Sequence, residues 1–391
     1  MTEREGGLTS CFLPLALLQR NTVMSNIDYR RFVNVNIVHS SVPSAIATRD
    51  TTVCFVATAS IDSVVENEAA ALALLPSEGE SEAKEYIHAY FANGGRKLHL
   101  KSCSAAANDI VTAIQALPTE EIVIAYPGQT ANLNTAMKTL NSTATTALGF
   151  YGIKRKLAVV RTSASVVLAD ETPGVIAKYS TKYELQGTIA AYLSKIDINR
   201  QDAVQDYDFT IEVTTDTSTP AVNKAEDATD EVVSAVMAAN ENVDVFIAGQ
   251  YRNIGGNTKD GKDLVNEYML IVLQQTLTER IMEVLAEKIK GETGVSAIHT
   301  TVAEELNRYV TCGYIATDKV YTGETLAYSY NGQNYVLLEK NTPLLTGYAI
   351  LVVPYSALTA EDKAAHKAPS IYVALADSYG IRKVDLSGIV Y

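Results

Sequence analysis

The sequence contains no tryptophan and only four cysteines in 391 residues. Without tryptophan, the chain lacks the aromatic residue on which nucleic-acid bases stack most strongly. The cysteines are Cys11, Cys54, Cys103 and Cys312, and no two of them have C-x-x-C spacing. A chain of this length can form a core without disulfide bonds, so we expect reduced thiols.

Positive charge is also scarce, because 45 acidic residues against 32 basic ones give a net charge of −13. Such a chain repels phosphate, so we expect no direct nucleic-acid partner. The five histidines include no H-x-x-x-H pair, and we expect no metal site and no cofactor. No apolar run is long enough to span a bilayer, so no stable membrane insertion is expected.

Residues 11–18 have the apolar character of a short signal-peptide core. However, Glu3 and Glu5 replace the positive charges that precede such a core, and no small-residue cleavage site follows it. We therefore expect Met24 to be the native start and residues 1–24 to be a leader that is non-native or disordered.

Strands and helices alternate in the first large part of the chain, residues 46–250. Strands are predicted at 51–57, 97–100, 121–126, 156–161, 208–213 and 243–248. Helices are predicted at 81–92, 105–117, 132–148, 185–195 and 228–239. This alternation is typical of an α/β domain with a mostly parallel sheet.

The pattern changes after residue 250, where a glycine-rich loop at 253–262 precedes a long predicted helix at 264–290 and a shorter one at 301–309. Strands are then predicted at 313–316, 326–330, 335–338 and 348–353, with a helix at 359–366. Asn331 and Gly332 have the composition of a two-residue hairpin turn. We predict an α+β C-terminal domain over residues 251–379.

Both ends of the chain carry apolar segments that alternate as in β-strands. The N-terminal segment contains Phe32, Val33, Val35 and Ile37. The C-terminal segment contains Val384, Leu386, Ile389 and Val390. An apolar strand at a chain end is an aggregation hazard unless a sheet receives it. We therefore interpret residues 25–45 and 380–391 as extended β arms that pair with neighbouring copies.

Residues 256–262 match the G-x-x-x-x-G-K spacing of a phosphate-binding loop. Asp263 stands where a Ser or Thr would bind magnesium, and Asp260 adds a second negative charge. We interpret the segment as a solvated turn before a helix and expect no catalytic residues. A nucleotide-binding α/β enzyme that uses this loop remains the alternative.

The predicted helix at 359–366 carries a small cationic stripe. Thr359 can cap its first turn, and Lys363 and Lys367 lie one turn apart on the same face. An ordinary solvated helix explains these residues, and the functional alternative is contact with an acidic partner.

Several segments together resemble the contractile tail sheath proteins of bacteriophages and phage-like injection particles. The similar segments are residues 90–95, which match F-x-N-G-G, residues 256–261, which match G-x-T-x-D-G, residues 312–316, residues 348–355, the helix near Thr359, residues 368–371 and residues 380–390. The resemblance covers most of the chain from Met24 onward and depends on the order of these segments.

The resemblance implies a non-enzymatic structural subunit that polymerises as stacked hexameric rings around a tail tube. Its implied partners are other copies of the chain, the tail tube protein, and the baseplate and tail terminator proteins. It implies assembly in the bacterial host cytoplasm and contraction in the virion tail that drives the tube through an envelope for host genome ejection. Lys363 and Lys367 are then candidate tube contacts. A non-contractile tube or surface-layer protein is disfavoured, because tube proteins are usually smaller and mostly β.

Overall fold

The structure is a computed structural model that describes residues 35–39, 52–118, 120–147, 156–169, 171–201, 203, 210–211, 228–247, 249–286, 291–365 and 369–376. Its strands are β1 (Val35–His39), β2 (Thr52–Val56), β3 (Asp62–Val65), β4 (Leu98–Ser102), β5 (Val123–Ala125), β6 (Leu157–Thr162), β7 (Val175–Tyr179), β8 (Thr210–Ile211), β9 (Val243–Ile247), β10 (Gln250–Ile254), β11 (Lys319–Val320), β12 (Leu326–Tyr330), β13 (Gln333–Leu338), β14 (Pro343–Leu344), β15 (Tyr348–Val352) and β16 (Ile371–Leu375). Its helices are α1 (Glu68–Leu74), α2 (Ser81–Ala92), α3 (Ala107–Gln115), α4 (Thr130–Ala147), α5 (Gln186–Ser194), α6 (Asp230–Ala238), α7 (Leu264–Ala286), α8 (Gly291–Thr311) and α9 (Ala360–Ala364), with a 3-10 turn at Tyr355–Ala357.

The largest sheet has six strands in the order β3-β4-β2-β5-β6-β7. All neighbouring strands in it are parallel except β3 and β4. Parallel strands covered by helices on both faces need apolar side chains in both directions. The central strand β2 satisfies this requirement, because all five of its residues are buried.

The two faces of this sheet bury alternate residues of each strand, as the two-residue period of a strand requires. Val53 and Phe55 face the helices α3 and α4, whereas Cys54 and Val56 face α2 and α5. The second of these apolar clusters continues into α7 and α8, so one core connects the six-stranded sheet with the C-terminal part of the chain.

A second layer is built on a three-stranded sheet in the order β1-β16-β15. Ile371, Val373 and Leu375 of β16 pack in the same cluster as α7 and α8. Tyr372 and Ala374 face the opposite way and pack with the β12–β13 hairpin. The helix α7 is buried on most of its circumference, which is typical of a helix between two layers.

Most of the predicted elements are present, and the chain has mixed α/β content with a mostly parallel sheet and smaller antiparallel sheets. The prediction for α2 is confirmed at both ends. Gly94 has a φ of +81°, and a Cβ on Gly95 would lie 2.3 Å from the Tyr90 ring, so this glycine pair ends the helix. The hairpin turn is confirmed by the positive φ of Asn331 and Gly332, 48° and 74°.

Several predictions differ from the structure. The helix predicted at 301–309 is the longer α8, which begins at Gly291 because Val295 and Ile298 pack in the same cluster as α7. Residues 313–316 form no strand, since Gly313 with a φ of +83° instead ends α8. The strands β3, β7, β10, β11, β14 and β16 and the helix α1 were not predicted from the sequence.

Several predictions fall on residues outside the described part of the chain. These are the leader at 1–24, the C-terminal arm at 380–391, Phe32, Val33, Lys367 and most of the strand at 208–213. The boundary between the two predicted domains near residue 250 also stays a prediction.

A histidine between two carboxylates joins the amino ends of β4 and β5. His99 Nδ1 lies 2.6 Å from Glu121 Oε1, and its Nε2 lies 2.8 Å from Asp62 Oδ1. Burial by itself lowers the pKa of His99, but the hydrogen bonds and charges of Glu121 and Asp62 outweigh it, and the pKa is raised.

Replacing this histidine should remove a pH-dependent part of the stability. The pKa of His99 is higher in the folded than in the unfolded chain, so its stabilisation is fully present below about pH 6.5 and is lost as the pH rises through the raised value. We expect the difference in free energy of unfolding between the native chain and His99→Gln to shrink across that interval in urea titrations. Glu121→Gln should flatten the same pH dependence, and a constant difference from pH 5 to 9 would contradict this explanation.

Candidate assembly interface

The sheet β1-β16-β15 brings the first described strand of the chain against the last one. β1 pairs in parallel with β16, and Val35 lies opposite Ile371 and Ile37 opposite Val373. Val35 and Ile37 therefore lie in a strand, as predicted. The partner of that strand is β16 of the same chain, and pairing with another copy stays a prediction.

β16 is the central strand of this sheet and is buried along its whole length. β1 covers one of its edges, and the antiparallel strand β15 covers the other. Within the described residues, the outer edge of β15 pairs with no further strand. β1 and β15 are therefore the edge strands of this sheet, and within the described residues the outer edge of neither pairs with a further strand.

The candidate tube contact Lys363 lies on α9, which ends at Ala364, two residues before the predicted end. Thr359 caps this helix as predicted, because its hydroxyl accepts the N–H of Asp362 at 3.0 Å. The ammonium of Lys363 donates to the carbonyl of Ser356 at 3.3 Å and lies 5.3 Å from the centre of the Tyr355 ring. Lys363 is therefore directed by the turn that precedes its helix.

The backbone of the glycine-rich loop is hydrogen bonded within the chain. Each of these groups donates its N–H to an oxygen of the chain itself at 2.7–3.0 Å: Gly256 to Asn242 Oδ1, Thr258 to Lys262 O, Lys259 to Val175 O, Gly261 to Thr258 O and Leu264 to Gly256 O. A phosphate-binding loop needs such N–H groups for its ligand. The loop therefore does not offer the phosphate cradle that its spacing suggests.

The expectation of a solvated turn is also wrong, because Thr258 and Lys259 are buried. Only the end of the loop reaches solvent, where the side chain of Lys262 is 53% exposed. Its ammonium lies 3.3 Å from Asp260 and 3.6 Å from Glu267. Burial lowers the pKa of Lys262, but Glu267 and Asp260 outweigh it and raise the pKa.

A second place to look for a ligand is set by the strand order. The parallel strands β4-β2-β5-β6-β7 follow a doubly wound order whose ligands bind beyond the carboxyl ends of the strands, here between β2 and β5. Thr58, which follows β2, donates its N–H and its hydroxyl to Glu80 Oε1 at 2.6 and 2.8 Å. A carboxylate of the chain itself thus satisfies donors that a bound anion would need.

Behind the glycine-rich loop, buried polar groups connect β7 to β9 and β10. We call this set the polar junction: Lys178, Glu241, Asn242, Asp244 and Asn253. Lys178 is fully buried, and its ammonium donates to Asp244 Oδ1 and, at 2.7 Å, to Asn253 Oδ1. Burial lowers the pKa of Lys178 and raises that of Asp244, while the attraction between them opposes both shifts.

The other half of the polar junction holds the loop. Asn242 donates its side-chain N–H to the carbonyls of Ala177 and Asn257, both at 2.9 Å. Glu241 accepts from Lys259 Nζ at 2.9 Å and from the Thr162 hydroxyl at 2.5 Å. The segment that matches G-x-T-x-D-G therefore has a structural role, because it ties α7 to the edge of the six-stranded sheet.

Sequence reasoning missed the polar junction. Lys178 stands within the strand Val175–Tyr179, and Asp244 stands within Val243–Ile247, where the neighbouring residues are mostly apolar. A charged residue inside a short apolar strand is the signal that could have found both, because a buried charge needs a partner.

The polar junction generates a stability prediction. Lys178→Met leaves Asp244 buried without its cation and should lower the free energy of unfolding by about 3–5 kcal/mol. The matched control is Lys262→Met, whose ion pairs reach solvent and should contribute at most about 1 kcal/mol. Urea unfolding of unpolymerised protein measures both. The double variant Lys178→Met, Asp244→Leu should recover most of the loss. If Lys178→Met lowers the free energy of unfolding no more than Lys262→Met does, the buried ion pair does not stabilise the fold as predicted.

Among the described residues, no group of His, Cys, Asp and Glu side chains is arranged to hold a metal ion. None of the described helices combines the length and the apolar character needed to cross a bilayer.

No protein-family model and no curated protein matches the chain. The chain does match solved structures. A chain in the cryo-EM structure of the anti-feeding prophage helical sheath in its contracted state matches with a TM-score of 0.57 and 15% identity, over 89% of this chain and 95% of that one. This chain has the fold of a contractile sheath protein. A chain in the six-fold symmetrised baseplate structure of the same prophage matches with a TM-score of 0.59 and 14% identity, over 92% and 98%. The likeness concerns the fold, and at that level it confirms the resemblance indicated by the sequence segments.

Proposed function

We propose that this chain is a structural subunit of a contractile tail sheath. The observation that carries the proposal is the match to a sheath chain over nearly the full length of both chains. The sheet β1-β16-β15 adds support. Its strand β1 comes from the N-terminal part of the chain, and the outer edge of β15 is open among the described residues, so both are suited to polymerisation.

In the proposed assembly, copies form hexameric rings that stack helically around a tail tube and end at baseplate and terminator proteins. Contacts that do not close on themselves build such helices. Contraction in the virion tail would push the tube through a bacterial envelope, after assembly in the host cytoplasm. New interfaces between subunits would supply the energy. The internally bonded loops at the two nucleotide-like places support a mechanism without nucleotide hydrolysis.

The N-terminal arm is proposed to exchange between copies. Between β1 and β2 lie 12 residues, from 40 to 51, which can span up to about 40 Å. That reach allows β1 of one subunit to occupy the edge of β16 in the next. A pairing of about five residues, with about 0.5–1.5 kcal/mol for each hydrogen bond, holds a neighbour by several kcal/mol.

The C-terminal arm is proposed to pair with the outer edge of β15. Val384 and Leu386 alternate as a strand requires, and Ile389 and Val390 continue the apolar segment after a bulge predicted at Gly388. The outer edge of β15 is open in the described sheet, and most side chains of β15 are only half-buried. A strand donated by another copy would complete a four-stranded sheet with contributions from three subunits.

Disulfide trapping tests the exchange of the N-terminal arm. Val38 lies opposite Ala374 in the β1–β16 register, so cysteines at these positions are close enough to form a disulfide. In a Cys11→Ser background, we expect mixed Val38→Cys and Ala374→Cys chains to form disulfide-linked dimers when they polymerise. Non-reducing gels after mild oxidation measure the dimers, and negative-stain microscopy identifies the tubes.

The chain that carries both cysteines is the control. It should give an intrachain disulfide in dilute solution, where β1 closes on its own sheet, and ladders of linked chains in tubes. Tubes made of intrachain-linked monomers would overturn the exchange.

The tube contact is tested by charge reversal. Lys363→Glu together with Lys367→Glu should weaken the binding of sheath polymer to tubes of the tail tube protein and leave polymer formation unchanged. Each exposed contact contributes only about 0.2–1 kcal/mol, but the contact repeats in every subunit. Cosedimentation at several salt concentrations measures the loss.

The matched control is Lys319→Glu together with Lys340→Glu, which reverses two exposed lysines elsewhere in the C-terminal part and changes the net charge by the same amount. It should bind tubes as the native chain does. If both reversals weaken binding equally, net charge and not the helix α9 explains the effect.

A further inference from the structure

The helix α9 depends on contacts with the rest of the chain for its position. It has five residues, and an isolated helix of that length is unstable in water. Its capping hydroxyl, from Thr359, belongs to the same segment and therefore cannot fix the helix relative to the core. The groups that hold the segment from outside decide where Lys363 points.

Three side chains outside this segment hydrogen bond to it. Tyr330, at the end of β12, donates its hydroxyl to Asp362 Oδ2 at 2.5 Å and so holds the helix itself. The other two hold the turn whose carbonyl receives the ammonium of Lys363. Glu292, in the first turn of α8, accepts the N–H of Ser356 at 2.9 Å, and Asn331 donates its side-chain N–H to the carbonyl of Ala357 at 3.5 Å.

Tyr330 is itself rigidly placed. The two-residue turn at Asn331 and Gly332 closes its hairpin, and Tyr328 on the same strand stacks on Tyr372 of β16 with ring centres 3.9 Å apart. The hydrogen bond with Asp362 raises the pKa of Tyr330 to about 12, so the phenol remains a donor at neutral pH. A continuous series of contacts therefore leads from the sheet β1-β16-β15 to α9.

We propose that Tyr330 is a positioning residue for Lys363, holding α9 through Asp362 so that the ammonium meets an acidic surface of the tail tube. This inference deepens the tube contact of the proposed function and depends on it. It also relates the proposed arm-exchange surface to the proposed tube contact. β16, which receives the N-terminal arm, supports the β12–β13 hairpin, and this hairpin orients α9.

The test compares two tyrosines of one hairpin. Tyr330→Phe removes the hydroxyl that binds Asp362, and the matched control Tyr335→Phe removes a hydroxyl that donates to Gln333 of its own strand at 2.7 Å. In hydrogen–deuterium exchange of the unpolymerised chain, we expect about tenfold faster exchange of residues 359–365 in Tyr330→Phe. Tyr335→Phe should leave these residues unchanged.

A second measurement uses tubes assembled from the tail tube protein of the same particle. Tyr330→Phe should lose tube binding to the extent that Lys363→Ala does, while polymer formation without tubes stays at the native level. Asp362→Asn, which retains an oxygen acceptor for the phenol, should fall between the native chain and Tyr330→Phe. A general structural defect would instead reduce polymer formation as well.

Unchanged exchange in Tyr330→Phe would overturn the inference whatever the tubes do. Faster hydrogen–deuterium exchange of residues 359–365 together with native tube binding would also overturn the inference, because a more mobile α9 would then not weaken the tube contact. If Lys363→Ala binds tubes as the native chain does, the tube contact in the proposed function is wrong, and the positioning role toward the tube is overturned with it.

Discussion

The pairing of β1 with β16 is the interaction on which the second layer depends. β16 is buried on both faces, so its backbone groups have no water and need partners along both edges. One of those edges receives a strand from the opposite end of the chain. The helices α7 and α8 on one face and the β12–β13 hairpin on the other are then packed against a sheet that is complete only when an N-terminal segment is present. A sheet with this requirement is suited to a protein whose copies must be linked.

The places that resemble ligand sites follow a common rule: the chain satisfies its own polar groups. Glu80 accepts the donors that follow β2, and the glycine-rich loop donates its N–H groups to carbonyls and to Asn242. The buried Lys178–Asp244 pair is also enclosed by the chain, but less completely, because Asp244 Oδ2 and Asn253 Nδ2 have no hydrogen-bond partner among the described residues. Buried pairs of this kind contribute little net stability compared with apolar residues, but they penalise any arrangement in which the partners separate. They therefore favour a rigid body, which suits a subunit that is proposed to move as a whole.

Features that depend on neighbouring residues in the sequence could be predicted, and features that depend on contacts between distant residues could not. The end of α2 was predictable because Gly94 and Gly95 act within one turn, and the Thr359 cap for the same reason. The first half of α8 was missed because its residues are polar or small except at Val295 and Ile298, which pack against residues elsewhere in the chain. The same limit explains the polar junction, whose charges are 66 residues apart in sequence. The glycine spacing of the loop at 253–262 suggested phosphate binding. The structure argues against it, because the backbone N–H groups of the loop already donate to oxygens of the chain.

The parallel pairing of β1 and β16 also sets an order of events during synthesis. The two strands lie about 330 residues apart, so at about 5–20 residues per second the first strand emerges roughly 15–70 s before its partner. The six-stranded sheet, whose contacts lie closer together along the chain, can fold in that interval. The sheet β1-β16-β15 closes last, once β16 has been translated. A chain that stops before β16 therefore lacks the strand that the N-terminal segment would join, and it cannot form the sheet on which the proposed assembly depends.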